Sequence, residues 1–294
     1  MEGQRSCAVC GAGGPFGVVY RRGPWTLARC PVCGLVFQEP QPSLDSMPGL
    51  YYFDPEFARR LEGELAPVAR ARAAEKLPLL RRAGVQAGGP ALDVGCSSGA
   101  WLEVARDAGW QPQGVEVGEG AADVARRRGF QVHAGTLESA THLPEDHFAL
   151  ITFWDVLEHL PDPVDALRRA ARLVRPGGVV AMTFPNVEGW YPRVTYRLLA
   201  RPFGVWEHPE LPVHLFDFSP ATARRLVGQA GLTVQSVTTM PIPFEAIRPR
   251  LSGELGRRGR ALRPAFELLR LLVYPPARLF DRGNAMFLLA RRPG

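Results

Sequence analysis

The segment PALDVGCSSG, from Pro90 to Gly99, constrains the fold of this chain more than any other. Its apolar positions predict a buried strand, which leads into a turn bounded by glycines, and a helical pattern begins at Ala100. A second predicted strand, GVEV, brings Glu116 to its tip about twenty residues after the turn. A strand, a glycine-bounded turn, a helix and a second strand tipped by a carboxylate are typical of a nucleoside-binding βαβ unit.

The spacing of this turn indicates which nucleoside it fits. Gly95 and Gly99 enclose three residues, whereas turns that bind pyrophosphate have the spacing G-x-G-x-x-G. A shorter turn that begins at Asp93 suits a ligand without phosphates, such as S-adenosylmethionine. The same spacing argues against NAD.

Four of the five cysteines form two CxxCG pairs that predict a metal site. The pairs are separated by nineteen residues, which is a spacing found in four-thiolate zinc sites. Two disulfides or redox-active pairs are the alternative, and zinc is favoured because the chain is expected to be cytoplasmic. The predicted ligands of a structural Zn²⁺ are Cys7, Cys10, Cys30 and Cys33. The sequence leaves open whether this ribbon contacts nucleic acid, a partner chain or its own catalytic domain.

Length and composition are those of a globular protein with one large core and a small appendage. The chain has 294 residues, of which 46% are hydrophobic, and a net charge of +6 that scattered, solvated arginines explain. It has no run approaching 18 apolar residues, and its start lacks the apolar core of a signal peptide. We therefore expect a cytoplasmic protein with reduced or metal-bound cysteines.

After a helical stretch from about Asp54 to Arg82, bent at Pro67, strand and helix patterns alternate from residue 91 to residue 184. This alternation predicts an α/β fold with a parallel sheet covered by helices on both faces. A helix over 219–230 and strands over 232–239 and 285–291 follow. The predicted domains are a zinc ribbon over 1–42, a helical linker or cap over 43–88, and a catalytic domain over 89–294.

Four blocks in the catalytic domain resemble class I S-adenosylmethionine-dependent methyltransferases. They are LDVGCSSG, GVEV, FWDVLEHLPDP and LVRPGGVVAMTFPN, and their order and spacing match that family over roughly residues 88 to 290. With the CxxCG pairs and the block VHLFDFSPATARRLVGQAGL, the chain is similar to zinc-ribbon methyltransferases that act on sugars, polyketides and other small metabolites. The resemblance implies a Rossmann-like, seven-stranded sheet whose last strand is antiparallel.

The resemblance also implies a cofactor site. Glu116 corresponds to the residue that takes both ribose hydroxyls, and Val117 to the one that packs on adenine. Serine replaces the middle glycine of the family turn, and Thr136 replaces an acidic residue near the adenine amino group, so Thr136 or a backbone carbonyl must supply that contact. The cofactor residues carried over are Asp93, Gly95, Cys96, Ser97, Gly99, Glu116, Val117, Thr136 and Asp155.

Methyl transfer to a hydroxyl requires a general base, and four residues are candidates for a role in the reaction. His214 is the preferred base because it lies in the segment where this group closes its acceptor pocket, and His208 is the runner-up. Asp155, at the tip of the fourth strand, is a candidate contact to cofactor or acceptor. His159 follows Asp155 by one turn, and packing at a helix start is its alternative role. Cys96 is interpreted as a small buried residue rather than a nucleophile.

Two inserts are predicted to set the acceptor. The insert over 187–213 concentrates aromatic residues and predicts a lid or pocket wall. The insert over 241–284 predicts a helical cap, and its amphipathic part over 261–280 could cap the acceptor site, form a homodimer or lie on a membrane. Cap or dimer is favoured because Pro275 and Pro276 are expected to break the helix.

The sequence therefore predicts S-adenosylmethionine-dependent methyl transfer to a small molecule, with a hydroxyl as the favoured acceptor. A zinc-ribbon RNA methyltransferase is one alternative, although the chain lacks an Asn-Pro-Pro-Tyr-type motif and a Pro-Cys nucleophile. A noncatalytic cofactor-binding scaffold is the other alternative.

Overall fold

The computed structural model describes residues 6–42, 55–206, 208–240 and 256–294, whose strands form two sheets. In chain order the strands are β1 (Gly17–Arg22), β2 (Trp25–Arg29), β3 (Val36–Glu39), β4 (Pro90–Val94), β5 (Gln111–Glu116), β6 (Val132–Ala134), β7 (Phe148–Trp154), β8 (Val174–Pro185), β9 (Phe216–Asp217), β10 (Thr233–Met240) and β11 (Ala285–Arg291). The α-helices are α1 (Pro55–Glu62), α2 (Ala66–Ala74), α3 (Lys76–Arg82), α4 (Ala100–Asp107), α5 (Glu119–Arg127), α6 (Pro163–Leu173), α7 (Trp190–Thr195), α8 (Arg201–Phe203), α9 (Pro220–Gln229) and α10 (Gly256–Leu279).

The larger sheet has seven strands in the order β6-β5-β4-β7-β8-β11-β10. Strand β11 runs antiparallel to both of its neighbours, and the other pairs are parallel. This arrangement confirms the predicted sheet with an antiparallel last strand. In the register, Val94 of β4 lies opposite Val115 of β5 and Phe153 of β7, so these three strands end at one edge. In open α/β sheets, ligands bind at that edge.

Local signals explain the boundaries of two helices that flank the sheet. Asp162 caps α6 by accepting a hydrogen bond from the amide of Asp165 at 2.9 Å, and Pro163 occupies the first turn. Ser219 and Thr222 form a capping box at the start of α9. At the start of each of these two helices, a polar side chain therefore accepts a hydrogen bond from a backbone amide.

The helical stretch before the sheet differs from the expectation of one helix bent at Pro67. The structure has three helices, α1 to α3, and Pro67 lies in the first turn of α2, where a missing amide hydrogen breaks no hydrogen bond. Leu80 of α3 is fully buried against the sheet core, so this segment is part of the catalytic domain's packing.

The amino-terminal ribbon shares its sheet with the catalytic domain. Strands β1, β2 and β3 form an antiparallel sheet, and β9 adds a fourth strand next to β3. Val36 pairs with Asp217, and the amide of Gln38 donates to the carbonyl of Leu215 at 2.9 Å. The outer edge of β3 is thus paired with a segment about 180 residues later in the chain.

The aromatic insert over 187–213 is mostly helical, comprising α7, a π-helical turn at Tyr196–Ala200 and α8. Its aromatic residues also contact the ribbon. The ring of Trp206 lies 5.6 Å from that of Tyr20 and 4.9 Å from that of Tyr196, and the Tyr196 hydroxyl donates to the carbonyl of Val19 at 2.9 Å. Trp206 is 2% exposed, so this side of the insert is a packing surface.

The expectation that Pro275 and Pro276 break the last helix is wrong. Helix α10 runs from Gly256 to Leu279 and includes Pro264 as well as these two residues. Pro275 and Pro276 lie within its last turns, and the helix continues through them to Leu279 although neither residue can donate an amide hydrogen bond. Among the described residues, no helix is both long enough and apolar enough to cross a membrane.

Candidate functional site

The glycine-bounded turn after β4 approaches its neighbours closely. Gly95, Ser97 and Gly99 have φ values of 75°, 49° and 81°, in the left-handed region. A Cβ at Gly95 would lie 2.6 Å from a methyl carbon of Val156, so any larger residue would displace the segment that follows β7. The turn and the end of β7 are therefore packed against each other, which places the predicted cofactor and acceptor residues side by side.

The carboxylate of Glu116 is held at the tip of β5 by backbone amides. The amides of Ser97 and Gly118 each donate to one of its oxygens at 2.8 Å. Glu116 is 6% exposed, and burial raises its pKa while these amides lower it. A carboxylate fixed in this way beside the turn can accept hydrogen bonds from two vicinal hydroxyls, as a ribose requires.

Beneath the turn, Asp93 and Cys96 are buried. The Thr152 hydroxyl donates to Asp93 at 2.6 Å, and burial raises the pKa of Asp93 to about 8, opposed by this hydrogen bond and assisted by the charge of Glu116. Cys96 is 4% exposed, and burial raises the pKa of its thiol, so the thiol is protonated at neutral pH. Both side chains support the turn from below.

The raised pKa of Asp93 predicts how the stability of the folded protein depends on pH. In the folded, ligand-free protein the Asp93 carboxyl keeps its proton until about pH 8, whereas in the unfolded chain it loses this proton near pH 3.8. The contribution of Asp93 to stability is thus complete below pH 3.8 and is lost as the pH rises through 8. We expect the unfolding temperature to fall between pH 5 and 8 and Asp93→Asn to flatten this decline. Asp165→Asn, at an exposed carboxyl, is the control, and an unchanged slope in Asp93→Asn contradicts the assignment.

The outer side of the predicted cofactor site is less enclosed. Val117 is 42% exposed beyond the tip of β5. Thr136 is also exposed, and its hydroxyl oxygen accepts a hydrogen bond from the amide of Ser139 at 3.2 Å. These positions leave room for a planar group at the surface, and the proposed adenine contacts remain a prediction.

At the end of β7, Asp155 has a left-handed φ of 58° and is contacted by Lys76, the only lysine in the chain. The Lys76 amine lies 3.4 Å from Oδ2 of Asp155, 3.4 Å from Oγ1 of Thr183 and 5.4 Å from the Trp154 ring centroid. Helix α3 thus brings a cation to the carboxyl ends of β7 and β8. Sequence patterns did not reveal this residue, because its partners lie 79 and 107 residues away.

The structure brings two of the candidate histidines together, His159 and His214. The rings of His159 and His214 are 4.7 Å apart and nearly perpendicular. Nδ1 of His159 lies 3.0 Å from the carbonyl of Val213 and donates to it, and Nε2 of His214 lies 3.4 Å from the Glu210 carboxylate. Burial lowers the pKa of His159, opposed by its bond to Val213, so it is neutral at pH 7. His159 lies in the 3₁₀ turn Leu157–His159 and not on a longer helix.

A fully buried carboxylate adjoins this histidine pair. Glu158 is 0% exposed, and neither of its carboxylate oxygens has a hydrogen-bond partner among the described residues. Burial, reinforced by Asp155, Glu210 and Asp217, raises its pKa. One ligand atom each of Glu158, His159 and His214 lie within 4.8 Å of one another. The sequence motif Leu-Glu-His includes Glu158. The burial of its side chain, however, depends on a loop that lies 55 residues later in the chain.

His208 lies apart from this pair, on the side of the ribbon. Its Nε2 is 3.4 Å from Oδ1 of Asp217, which is 1% exposed and belongs to β9. The ring of His208 also lies 5.4 Å from that of Trp206. These contacts anchor β9 and give His208 a structural environment.

The four amino-terminal cysteines converge as predicted. Sγ of Cys7 lies 3.5 Å from that of Cys33, Sγ of Cys10 lies 3.5 Å from that of Cys30, and all four sulfurs lie within 4.8 Å of one another. The five cysteines of the chain are free thiols. Four thiolates around one zinc ion at about 2.3 Å lie roughly 3.8 Å apart, so the arrangement fits a tetrahedral ion.

Comparison with known proteins identifies the class to which this fold and site belong. A family model described as a methyltransferase domain matches residues 65–237, more than half of the chain. The chain belongs to this methyltransferase family and is an S-adenosylmethionine-dependent methyltransferase.

The chain is similar to curated proteins named ubiquinone biosynthesis O-methyltransferase. The protein from Serratia proteamaculans (strain 568) is 30% identical over 191 residues, which cover 60% of this chain and 79% of that protein. The protein from Yersinia pestis (strain Pestoides F) is 29% identical over 184 residues, covering 57% and 76%.

Solved structures support the fold. A methyltransferase from Archaeoglobus fulgidus has a TM-score of 0.52 at 16% identity, covering 81% of this chain and 100% of that one. A chain in the Haloferax volcanii complex of the Trm112 methyltransferase activator and a putative methyltransferase has a TM-score of 0.54 at 16% identity, covering 82% and 97%.

Proposed function

We propose that this protein transfers the methyl group of S-adenosylmethionine to a hydroxyl of a small-molecule acceptor. The observation that carries the proposal is the His159–His214 pair, in which the half-buried His159 follows β7 at the edge where the cofactor turn also lies and His214 is buried against it. Similarity to proteins named O-methyltransferase favours oxygen over nitrogen or carbon as the acceptor atom. An aromatic, sugar or polyketide hydroxyl fits this chemistry.

In the proposed site, the turn after β4 and the tip of β5 hold the cofactor. Bound S-adenosylmethionine supplies an electrophilic methyl group on a sulfonium. Gly95 and Gly99 allow the backbone to approach the methionine part, Glu116 accepts hydrogen bonds from the ribose hydroxyls, and Val117 packs on adenine. Asp93 and Cys96 support the turn from below. The protein thereby fixes the position of the methyl group relative to the end of β7.

The role of Glu116 is testable by cofactor affinity. Glu116→Gln removes the negative charge that receives the ribose hydroxyls, and hydrogen bonds to a charged group contribute about 1.5–3 kcal/mol. We expect the Kd for S-adenosylhomocysteine, measured by calorimetry, to rise by roughly 10-fold to 100-fold. Glu119→Gln, at the exposed first residue of α5, should leave the Kd within twofold. An equal Kd for Glu116→Gln and the parent contradicts the assignment.

His214 is the proposed general base. As the acceptor oxygen attacks the methyl carbon and the carbon–sulfur bond breaks, the hydroxyl proton passes to the imidazole of His214. The carboxylate of Glu210, 3.4 Å from Nε2, stabilises the imidazolium that forms. His159, held neutral by burial and oriented by the Val213 carbonyl, packs against this ring and fixes its position. Asp155 and Lys76 border the same cleft.

The acceptor class is tested by incubating the purified protein with S-adenosylmethionine and separate pools of catechols, sugar nucleotides and polyketide aglycones. Mass spectrometry should detect a product heavier by one methylene, with an equal amount of S-adenosylhomocysteine. A product methylated on oxygen supports the proposal. Methylation of RNA alone, or tight S-adenosylhomocysteine binding with no product from any pool, supports the RNA methyltransferase or the scaffold instead.

We further propose that the four cysteines bind one structural zinc ion and that the ribbon supports its own catalytic domain. Four thiolates fill the coordination sphere and leave no position for a substrate. Pairing of β3 with β9, and packing of Trp206 on Tyr20, favour support of the catalytic domain over recruitment of nucleic acid or a partner chain. On this proposal residues 1–42 are a module built into the domain at 89–294.

A further inference from the structure

Helix α10 presents an exposed apolar stripe along one face. Leu268, Leu271, Leu272 and Leu279 are 58%, 61%, 62% and 81% exposed, and Pro275 between them is exposed as well. At 100° per residue these positions fall on one face of the helix. We call these five residues the leucine stripe. Phe280, 65% exposed, follows it directly.

The opposite face of α10 packs on the catalytic domain. Phe266 is fully buried with Leu199 and Val205, and Ala277 is 2% exposed. The Tyr191 hydroxyl donates to the carbonyl of Phe266 at 3.3 Å, and its ring lies 5.1 Å from that of Tyr274. The leucine stripe therefore points away from the domain, and a cap over the acceptor does not account for it.

The charge of α10 is strongly positive. Its 24 residues include six arginines and one acidic residue, Glu267, which leaves a net charge of +5. Glu267 lies within 4.0 Å of both Arg263 and Arg270. The leucine stripe itself contains no charged residue. An exposed apolar face on a helix of net positive charge is typical of helices that lie in the surface of a membrane.

We propose that the leucine stripe docks on an anionic phospholipid bilayer, so that the protein is a peripheral membrane protein. The leucines enter the boundary between headgroups and acyl chains, and the net positive charge of α10 attracts the anionic lipids. A second copy of the chain fits less well, because a twofold interface through the stripe would bring two helices of charge +5 together. The continuous course of α10 through Pro275 and Pro276 removes the argument against a membrane contact.

The test is flotation of the zinc-loaded full chain with vesicles. We expect binding to vesicles of equal phosphatidylglycerol and phosphatidylcholine, much weaker binding to phosphatidylcholine alone, and release as salt rises from 0.1 to 0.5 M. The double variant Leu271→Glu/Leu272→Glu should lower the partition coefficient about tenfold or more. Val68→Glu, at a half-exposed position on α2, is the matched control and should bind like the parent.

Unfolding temperature and S-adenosylhomocysteine affinity, unchanged in the variants, show that they are folded. If the double variant unfolds, the single variant Leu268→Ser should still weaken binding severalfold. Absence of binding by the parent, or equal binding by the parent and the folded variants, overturns the proposal. A dimer in sedimentation velocity that Leu271→Glu/Leu272→Glu dissociates also overturns it, in favour of a second copy. Vesicle binding does not depend on methyl transfer, so its failure leaves the proposed function untouched.

Discussion

Replacing Cys30 by serine is expected to release the metal and to abolish methyl transfer while the cofactor turn still binds its ligand. Cys30 is 1% exposed within the four-sulfur cluster, and a hydroxyl is a much poorer zinc ligand than a thiolate. The buried apolar residues of the ribbon, such as Leu27 and Phe37, lie in clusters shared with the catalytic domain, so the ribbon has little apolar core of its own. Zinc binding contributes about 10–16 kcal/mol to the folding of comparable small modules. Without zinc, strands β1 to β3 should unfold.

The loss should spread from the ribbon to the candidate base along one chain of hydrogen bonds. Strand β3 holds β9, where the Gln38 amide donates to the Leu215 carbonyl at 2.9 Å. The Leu215 amide in turn donates to the carbonyl of Glu158 at 2.8 Å, and His214 precedes Leu215. Unfolding of β3 therefore frees the loop that positions His214, whereas Glu116 is held by the amides of Ser97 and Gly118, which do not belong to that loop.

Elemental analysis and turnover measure this effect. We expect about one zinc ion per parent chain and none in Cys30→Ser. We expect kcat to fall by about 100-fold or more, with S-adenosylhomocysteine affinity changed by less than threefold. Cys96→Ser, which alters the fifth cysteine outside the cluster, should keep its zinc. Folded, reduced parent protein without any metal, or a zinc-free variant with parental turnover, contradicts the proposal.

Replacing His214 by alanine is the second change for which we expect a large effect. Loss of a general base costs roughly 100-fold to 10,000-fold in turnover. His214 is 4% exposed and packs on His159 beside Glu210, and no cofactor contact is assigned to it, so S-adenosylhomocysteine affinity should stay within twofold. Glu210→Gln, which removes only the stabilising charge, should reduce turnover less than His214→Ala does. His147→Ala, at an exposed histidine on the surface, is the control and should retain parental turnover.

The pH profile distinguishes a base from a packing residue. In the parent, turnover should rise with pH as the imidazole loses its proton, and His214→Ala should lack this limb. If His159→Ala removes the limb and His214→Ala does not, His159 is the base. If His214→Ala stays within twofold of the parent, His214 takes no part in the mechanism.

The sequence predicted the features that depend on neighbouring residues. Alternating strand and helix patterns located the seven strands to within a few residues, and β11 matches its predicted bounds of 285–291. The start of β8 was not predictable, because Val174 is followed by Arg-Pro-Gly-Gly, which has no apolar pattern to indicate a strand. The CxxCG pairs and the turn after β4 carry their geometry in their spacing, so these sites were also predictable.

Features that depend on distant partners were not predictable from the sequence. The aromatic residues of the 187–213 insert suggested a lid, because nothing near Trp206 in the sequence points to Tyr20. Lys76 and Glu158 gain their environments from α3 and from the loop before β9. The intrinsic preference of proline predicts that Pro275 breaks the helix, and packing of α10 on the domain overrides that preference here.

The pairing of β3 with β9 has a consequence for biosynthesis. The ribosome makes Val36 before Asp217, and at about 5–20 residues per second the intervening 181 positions take roughly 10–35 seconds. During that interval the ribbon has an unpaired strand edge, and bound metal is its main source of order. Early zinc binding would keep the edge of β3 folded until β9, its partner strand, leaves the ribosome. In zinc-starved cells we therefore expect nascent chains to aggregate before their catalytic domain is complete.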